Sequence, residues 1–115
     1  MSRPVRVLVL EDDERLRRVS AKMAWPMGVD LRAAANEREA RAWLEAEAFD
    51  VVLCDWHLGG NGTSVALVRE LAQASGPIVA VVSGDPSAAI AALGSRVPVF
   101  GKPVRLDVVL DALGL

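Results

Sequence analysis

Four apolar runs in this chain stop abruptly at residues that carry charge or a hydroxyl. Val7-Leu8-Val9-Leu10 runs into Glu11-Asp12-Asp13, and Val51-Val52-Leu53-Cys54 into Asp55. Ile78-Val79-Ala80-Val81-Val82 runs into Ser83-Gly84, and Val97-Pro98-Val99-Phe100 into Gly101-Lys102-Pro103. Short apolar runs rich in β-branched residues read as buried strands, and an open α/β sheet binds its ligands at the carboxyl ends of such strands. Carboxylates, a hydroxyl and a lysine therefore converge on one rim. Three carboxylates there (Glu11, Asp12 and Asp55) repel one another unless positive charge lies among them. Lys102 supplies one charge and a divalent cation would supply two more; hard oxygen ligands with room for water suit Mg²⁺. In that setting Asp55 is a candidate nucleophile able to form an acyl phosphate. The metal and Lys102 would offset charge on the equatorial oxygens of a loose phosphoryl-transfer transition state. Ser83 fits a hydrogen bond to a phosphoryl oxygen, and Gly84 leaves space beside it.

Singly, each residue has a plainer reading. Glu11 to Glu14 could be solvated charges at a helix start, where the helix dipole favours them. Asp55 could cap a turn, Lys102 could be a surface lysine, and Ser83 a satisfied turn hydroxyl. Joint placement at successive strand ends favours the site, while Asp13 and Glu14 keep the plain reading as first-turn charges. His57 is the only histidine, and its side chain is expected in solvent.

The elements that must hold these residues follow in order. The first strand is expected from Arg3 to Leu10. A helix then turns Leu16, Val19, Ser20 and Met23 inward, with Arg15, Arg17, Arg18 and Lys22 on its other faces, and Pro26 with Gly28 ends it near Trp25. Val29, Leu31 and Ala33 alternate with polar residues in a short peripheral strand. Asn36 and Glu39 form a capping box for a helix to about Ala48 that buries Ala40, Trp43 and Leu44. After the Asp55 strand, Thr63 or Ser64 caps a helix that turns Val65, Val68, Leu71 and Ala72 inward. Asp85-Pro86 opens a short alanine-rich helix closed by Gly94. A last helix carries Leu106, Val109, Leu110 and Leu113 on one stripe. Trp25 and Trp43 read as packing residues and Trp56 as half exposed beside the site. Strands alternating with helices imply a parallel sheet with right-handed crossovers.

With these residues in place, the chain resembles the response-regulator receiver domain, the aspartate-phosphorylated module of two-component signalling typified by chemotaxis regulators. The resemblance rests on Glu11-Asp12, Asp55, Ser83-Gly84 and Lys102-Pro103, in that order, and spans residues 1–115 as a single receiver domain. It implies a flavodoxin-like, doubly wound (βα)5 fold with five parallel strands in the order 2-1-3-4-5. It implies that Asp12 and Asp55 bind Mg²⁺ directly, that Glu11 acts mainly through water, and that the backbone carbonyl of His57 is a further ligand. Asp55 would be phosphorylated by a phosphohistidine on a histidine kinase or histidine phosphotransfer protein. Lys102 would pair with the phosphoryl group, and the Lys102–Pro103 bond is commonly cis in such domains. Receivers catalyse slow reactions on themselves and turn over no separate substrate, so an enzyme in the ordinary sense is not expected.

Some positions depart from the receiver pattern. Gly59 stands where a proline is usual, and the loop before Gly62 is one residue short. The span from Ser83 to Lys102 is also short, and Val99 occupies the position of a frequent switch aromatic. These changes spare the phosphorylation chemistry but touch the usual output face.

Composition narrows the alternatives. A chain of 115 residues supports one core, and 52% hydrophobic against 24% charged residues excludes a disordered chain. A net charge of −2 gives no footprint for nucleic acid. The single cysteine, Cys54, implies no disulfide framework, and no apolar run of signal-peptide or membrane-span length occurs. A cytoplasmic protein is expected, with no membrane insertion, signalling to an unknown output protein by contact. A pseudo-receiver that is never phosphorylated is the alternative, opposed by the full acidic and lysine set. A flavin-phosphate site would be repelled by Glu11-Asp12-Asp13, and no P-loop motif exists.

Overall fold

In the computed structural model, residues 3–115 are described. Strand β1 (Arg6–Leu10) leads through the acidic turn into helix α1 (Glu14–Met27), followed by β2 (Asp30–Ala34) and α2 (Glu37–Ala46). Next come β3 (Val51–Asp55), α3 (Val65–Gln73), β4 (Ile78–Ser83), α4 (Pro86–Leu93), β5 (Val99–Gly101) and α5 (Leu106–Ala112). All strand pairings are parallel and the order is β2-β1-β3-β4-β5. This is the flavodoxin-like, doubly wound arrangement expected. β1 starts at Arg6 rather than Arg3, because Pro4 has no N–H to give to a ladder. β5 is shifted later than expected, with Val97 buried just ahead of it.

Strand alternation divides the core into two layers. Leu8, Leu10, Val52, Cys54 and Val81 face one way and pack with Ala40 of α2, Leu67 and Val68 of α3, and Ala89 of α4. Val7, Val9 and Val51 face the other way and meet Ala24 of α1 with Leu106 and Leu110 of α5. Both faces of the central strands are covered, which is why their sequences are apolar throughout.

Local chemistry sets the helix ends. Asp13 caps α1 by accepting from the Arg15 N–H at 2.8 Å, and Asn36 caps α2 by accepting from the Glu39 N–H at 2.9 Å. The reciprocal half of the capping box is displaced by one residue, since Glu39 accepts from the Ala35 N–H instead. Pro26 lies inside α1 rather than ending it. The stop is Gly28, left-handed at φ 70°, with Gly28 N–H donating to Trp25 and Val29 N–H to Ala24. These two bonds are a Schellman closure, and only the Lys22 carbonyl loses a partner to the proline. Ser64 takes the cap position of α3, but its fully buried hydroxyl has no partner among the described residues.

Several packing expectations are corrected. Trp25 is 86% exposed, because the neighbouring Ala24 takes the position against the sheet. Trp56 is only 5% exposed. The chain bends after Asp55, but the Trp56 N–H still donates to Val82 and its carbonyl accepts from Ser64, which holds the indole in the layer of Val52 and Cys54. Leu16 and Val19 do not pack inward. With Met23, Leu106 and Val109 they line a cavity of about 280 Å³ that reaches Asp55 and Lys102. On α3 Val65, Val68 and Leu71 pack against the core as expected and Leu67 joins them, fully buried, while Ala72 is exposed.

Candidate functional site

Register brings the strand-end residues together. Leu10 is level with Cys54 and Asp55 with Val82, so Glu11 and Asp55 leave adjacent strands side by side. Ser83 is level with Gly101, and the Lys102 N–H donates to the Ser83 carbonyl at 2.8 Å. Lys102 Nζ then lies 3.1 Å from Asp55 Oδ2 and 3.2 Å from Glu11 Oε1. One carboxylate oxygen from each of Glu11, Asp12 and Asp55 lies within 4.8 Å of the others. Glu11 and Asp55 are buried, whereas Asp12 is exposed.

The electrostatics follow from that burial. Desolvation, reinforced by hydrogen bonding to and repulsion from Asp55, raises the Glu11 carboxyl above its usual range, and Lys102 only partly opposes this. Burial also works against the Lys102 ammonium, but its pairing with Asp55 and Glu11 outweighs that and holds it above its ordinary value. One ammonium thus faces two nearly dry carboxylates and a third at their edge. The set is all hard oxygen, converges within a few ångströms, and has one solvent-facing member through which water could complete a coordination shell. Those properties fit Mg²⁺. Beneath the site, burial and the neighbouring Asp55 push the Cys54 thiol up to about 12, so it remains an inert core residue.

The remaining expected residues lie around this centre. Ser83 is fully buried, and its hydroxyl accepts from the Asp85 N–H at 2.9 Å. That turn leaves the hydroxyl proton free to be donated. The His57 side chain is exposed as expected, and His57 forms an isolated antiparallel bridge with Thr63. Its flanking bonds run from Leu58 N–H to Gly62 and from Ser64 N–H to Trp56. His57 is therefore the non-hydrogen-bonded partner, with its own carbonyl turned away from Thr63. The Lys102–Pro103 bond is cis.

Residues 7–113 match the sequence model of the response regulator receiver domain. The chain belongs to the response regulator receiver domain family. No curated protein matches it in sequence. Among solved structures it is similar to a Burkholderia pseudomallei response regulator with a phosphorylated aspartic acid, calcium ion and citrate, at 26% identity and TM-score 0.83. That likeness covers 95% of this chain and 66% of that one. A response regulator from Thermotoga maritima, at 23% identity and TM-score 0.77, shares the fold over 96% of this chain and 95% of its own. A CheY-like receiver from Methanospirillum hungatei does so over 96% and 91%, at 21% identity and TM-score 0.81.

Two residues of this receiver that sequence reasoning passed over act on the acidic turn. Arg17, taken for a solvated charge, folds back so that Nη1 donates to the carbonyls of Glu11 at 2.9 Å and Asp12 at 3.0 Å. Its place one turn into α1 was the only signal. Gly59 was noted merely as a missing proline. It adopts φ 58°, and a Cβ built on it would lie 2.8 Å from Asp12 Oδ2.

Proposed function

We propose that this receiver is the phosphoacceptor switch of a two-component phosphorelay, with Asp55 as the acceptor. The observation that carries this reading is the Lys102 ammonium held against Asp55 inside a cluster of three carboxylates. Glu11, Asp12, Asp55 and the backbone carbonyl of His57 would hold Mg²⁺. Bound there, the metal supplies charge neutralisation for the phosphoryl oxygens. The donor is a phosphohistidine on a histidine kinase or histidine phosphotransfer protein. An Asp55 carboxylate oxygen bonds to phosphorus while the phosphorus–nitrogen bond breaks. The electron pair leaves on the imidazole, which takes a proton from water. Lys102 moves from its apo pairing to the phosphoryl oxygens, and Ser83 donates its free proton to one of them. The structure with phosphorylated aspartate at 26% identity supports the same chemistry here. Among the described residues no helix is long and apolar enough to cross a membrane, and we assign the relay to the cytoplasm, with output through contact with another protein.

Incubation with a small phosphoramidate donor tests the reading. With Mg²⁺ the protein should gain one acid-labile, hydroxylamine-sensitive phosphate, and chelation by EDTA should prevent it. A protein that stays unlabelled with Mg²⁺ present, while retaining its fold, would instead be an unphosphorylated interaction module.

A further inference from the structure

We infer that Gly59 is a positioning residue for Asp12: the absence of a side chain at residue 59 sets where the Asp12 carboxylate stands in the metal site. This rests on the phosphoacceptor reading and deepens it.

The geometry is specific to one glycine of the loop. Gly59 and Gly62 both have positive φ, 58° and 77°, a region that L side chains rarely adopt. A Cβ on Gly62 would meet nothing within 4 Å, and neither would one on Gly60. A Cβ on Gly59 would meet Asp12 Oδ2 at 2.8 Å, with Asp12 Cγ at 3.9 Å. The first distance is shorter than carbon and oxygen tolerate without one of them moving. Backbone on both sides resists movement. Gly59 opens the turn Gly59–Asn61, and that turn is closed by Asn61 N–H to Leu58, Gly62 N–H to Gly59 and Leu58 N–H to Gly62. The Asp12 carbonyl is held by Arg17. What yields is the Asp12 carboxylate, which is exposed and at the end of a short side chain. Its displacement costs the fold little. It removes one ligand oxygen from the others that it meets within 4.8 Å. On this backbone an L side chain at residue 59 would require a different Asp12 rotamer, and proline, whose ring fixes φ at about −65°, could not adopt the turn at all, so the glycine and the aspartate function as a pair.

Three single variants separate this contact from backbone strain. Mg²⁺ affinity is measured by calorimetry, and the thermal midpoint in EDTA is measured beside it. Gly62→Ala introduces left-handed strain without the contact, and Gly60→Ala introduces neither. Gly59→Ala introduces both. The expected result is an affinity for Mg²⁺ reduced about tenfold or more in Gly59→Ala, the range seen when a residue that orients a metal ligand is altered. Gly62→Ala should lose thermal midpoint to a similar extent yet bind Mg²⁺ within about twofold of the parent, as should Gly60→Ala, consistent with ligand positioning as the cause. Equal Mg²⁺ affinity in Gly59→Ala and the parent would overturn the inference, and so would an equal loss in Gly62→Ala. If Gly59→Ala does not fold, the double variant with Asp12→Ala decides. Recovery of folding supports the contact, and failure to recover shows that strain alone governs residue 59. A parent that takes up no Mg²⁺ would sink the phosphoacceptor reading itself, a result distinct from a parent that binds and a Gly59→Ala variant that binds equally.

Discussion

Glu11 and Asp55 are nearly dry, and one ammonium is shared between them. Without metal, the acidic rim therefore opposes folding at neutral pH. Asp12→Ala should remove the Mg²⁺-induced rise in thermal midpoint while leaving the metal-free midpoint equal to or above that of the parent, because one repelling carboxylate is gone. A lower metal-free midpoint would mean that Asp12 has a structural role instead. The direction of the Glu11 shift sets a second expectation. Its folded pKa lies above the unfolded value, so folding favours the protonated form. The stability gained is full below the ordinary carboxylate range and is lost as pH rises through the raised folded value. In EDTA, Glu11→Gln should therefore gain on the parent as pH goes from acid to neutral. A difference in midpoint that stays constant over that range would contradict the assigned environment. At this scale the chemistry-bearing residue types were legible from their strand-end positions. Arg17 and Gly59 were not, since a salt-free guanidinium and a missing Cβ acquire meaning only from what the fold places against them.

The strands are tied together most visibly at the end opposite the site. Asp50, just before β3, accepts from the Arg6 N–H at 2.8 Å and from the two terminal guanidinium nitrogens of Arg3, Nη2 at 2.7 Å and Nη1 at 3.1 Å. The Arg3 guanidinium, with the Arg6 backbone, holds the Asp50 carboxyl below its usual value. A lowered carboxylate contributes stability that is present above its unfolded value and is lost as pH falls through the folded one. Asp50→Asn should cost about 1–2 kcal/mol at neutral pH, measured by urea unfolding, with the gap closing in acid as pH falls through the lowered folded value. A gap that persists in acid would mean the charge is not its source. At the other end, α4 has only eight residues and Val99 is a stiff, partly buried side chain in place of an aromatic. Ser83 is already joined to the following loop through Asp85. Activation should therefore reorder the loops at Gly59 to Gly62 and Gly84 to Ser87 by differential contacts. Amide exchange with and without beryllofluoride should show protection confined to those loops; strong protection from Val97 to Leu110 would contradict this.

For the whole molecule, the strand order and the two-layer core were legible because apolar runs covered on both faces, alternating with short amphipathic stretches, admit few topologies. Two of the three tryptophans show where that reading stops. Trp25 and Trp56 exchanged their expected environments, because one step around a helix or one residue past a strand end changes the face, and periodicity alone does not fix that step. Leu16 and Val19 fit an inward stripe by spacing, yet the contact between α1 and α5 leaves a cavity there. The fold's central consequence is that Asp55, at the end of a middle strand, shares the Lys102 ammonium with Glu11 at the rim, and the proposed function makes it the phosphoacceptor. The most direct measurement is mapping of the phosphate after reaction with a phosphoramidate donor and Mg²⁺, in the parent and in Asp55→Asn. The parent should carry a single hydroxylamine-sensitive phosphate on the peptide containing Asp55, and Asp55→Asn, with its fold retained by circular dichroism, should carry none. Label persisting in Asp55→Asn at the parent's level would place the acceptor elsewhere.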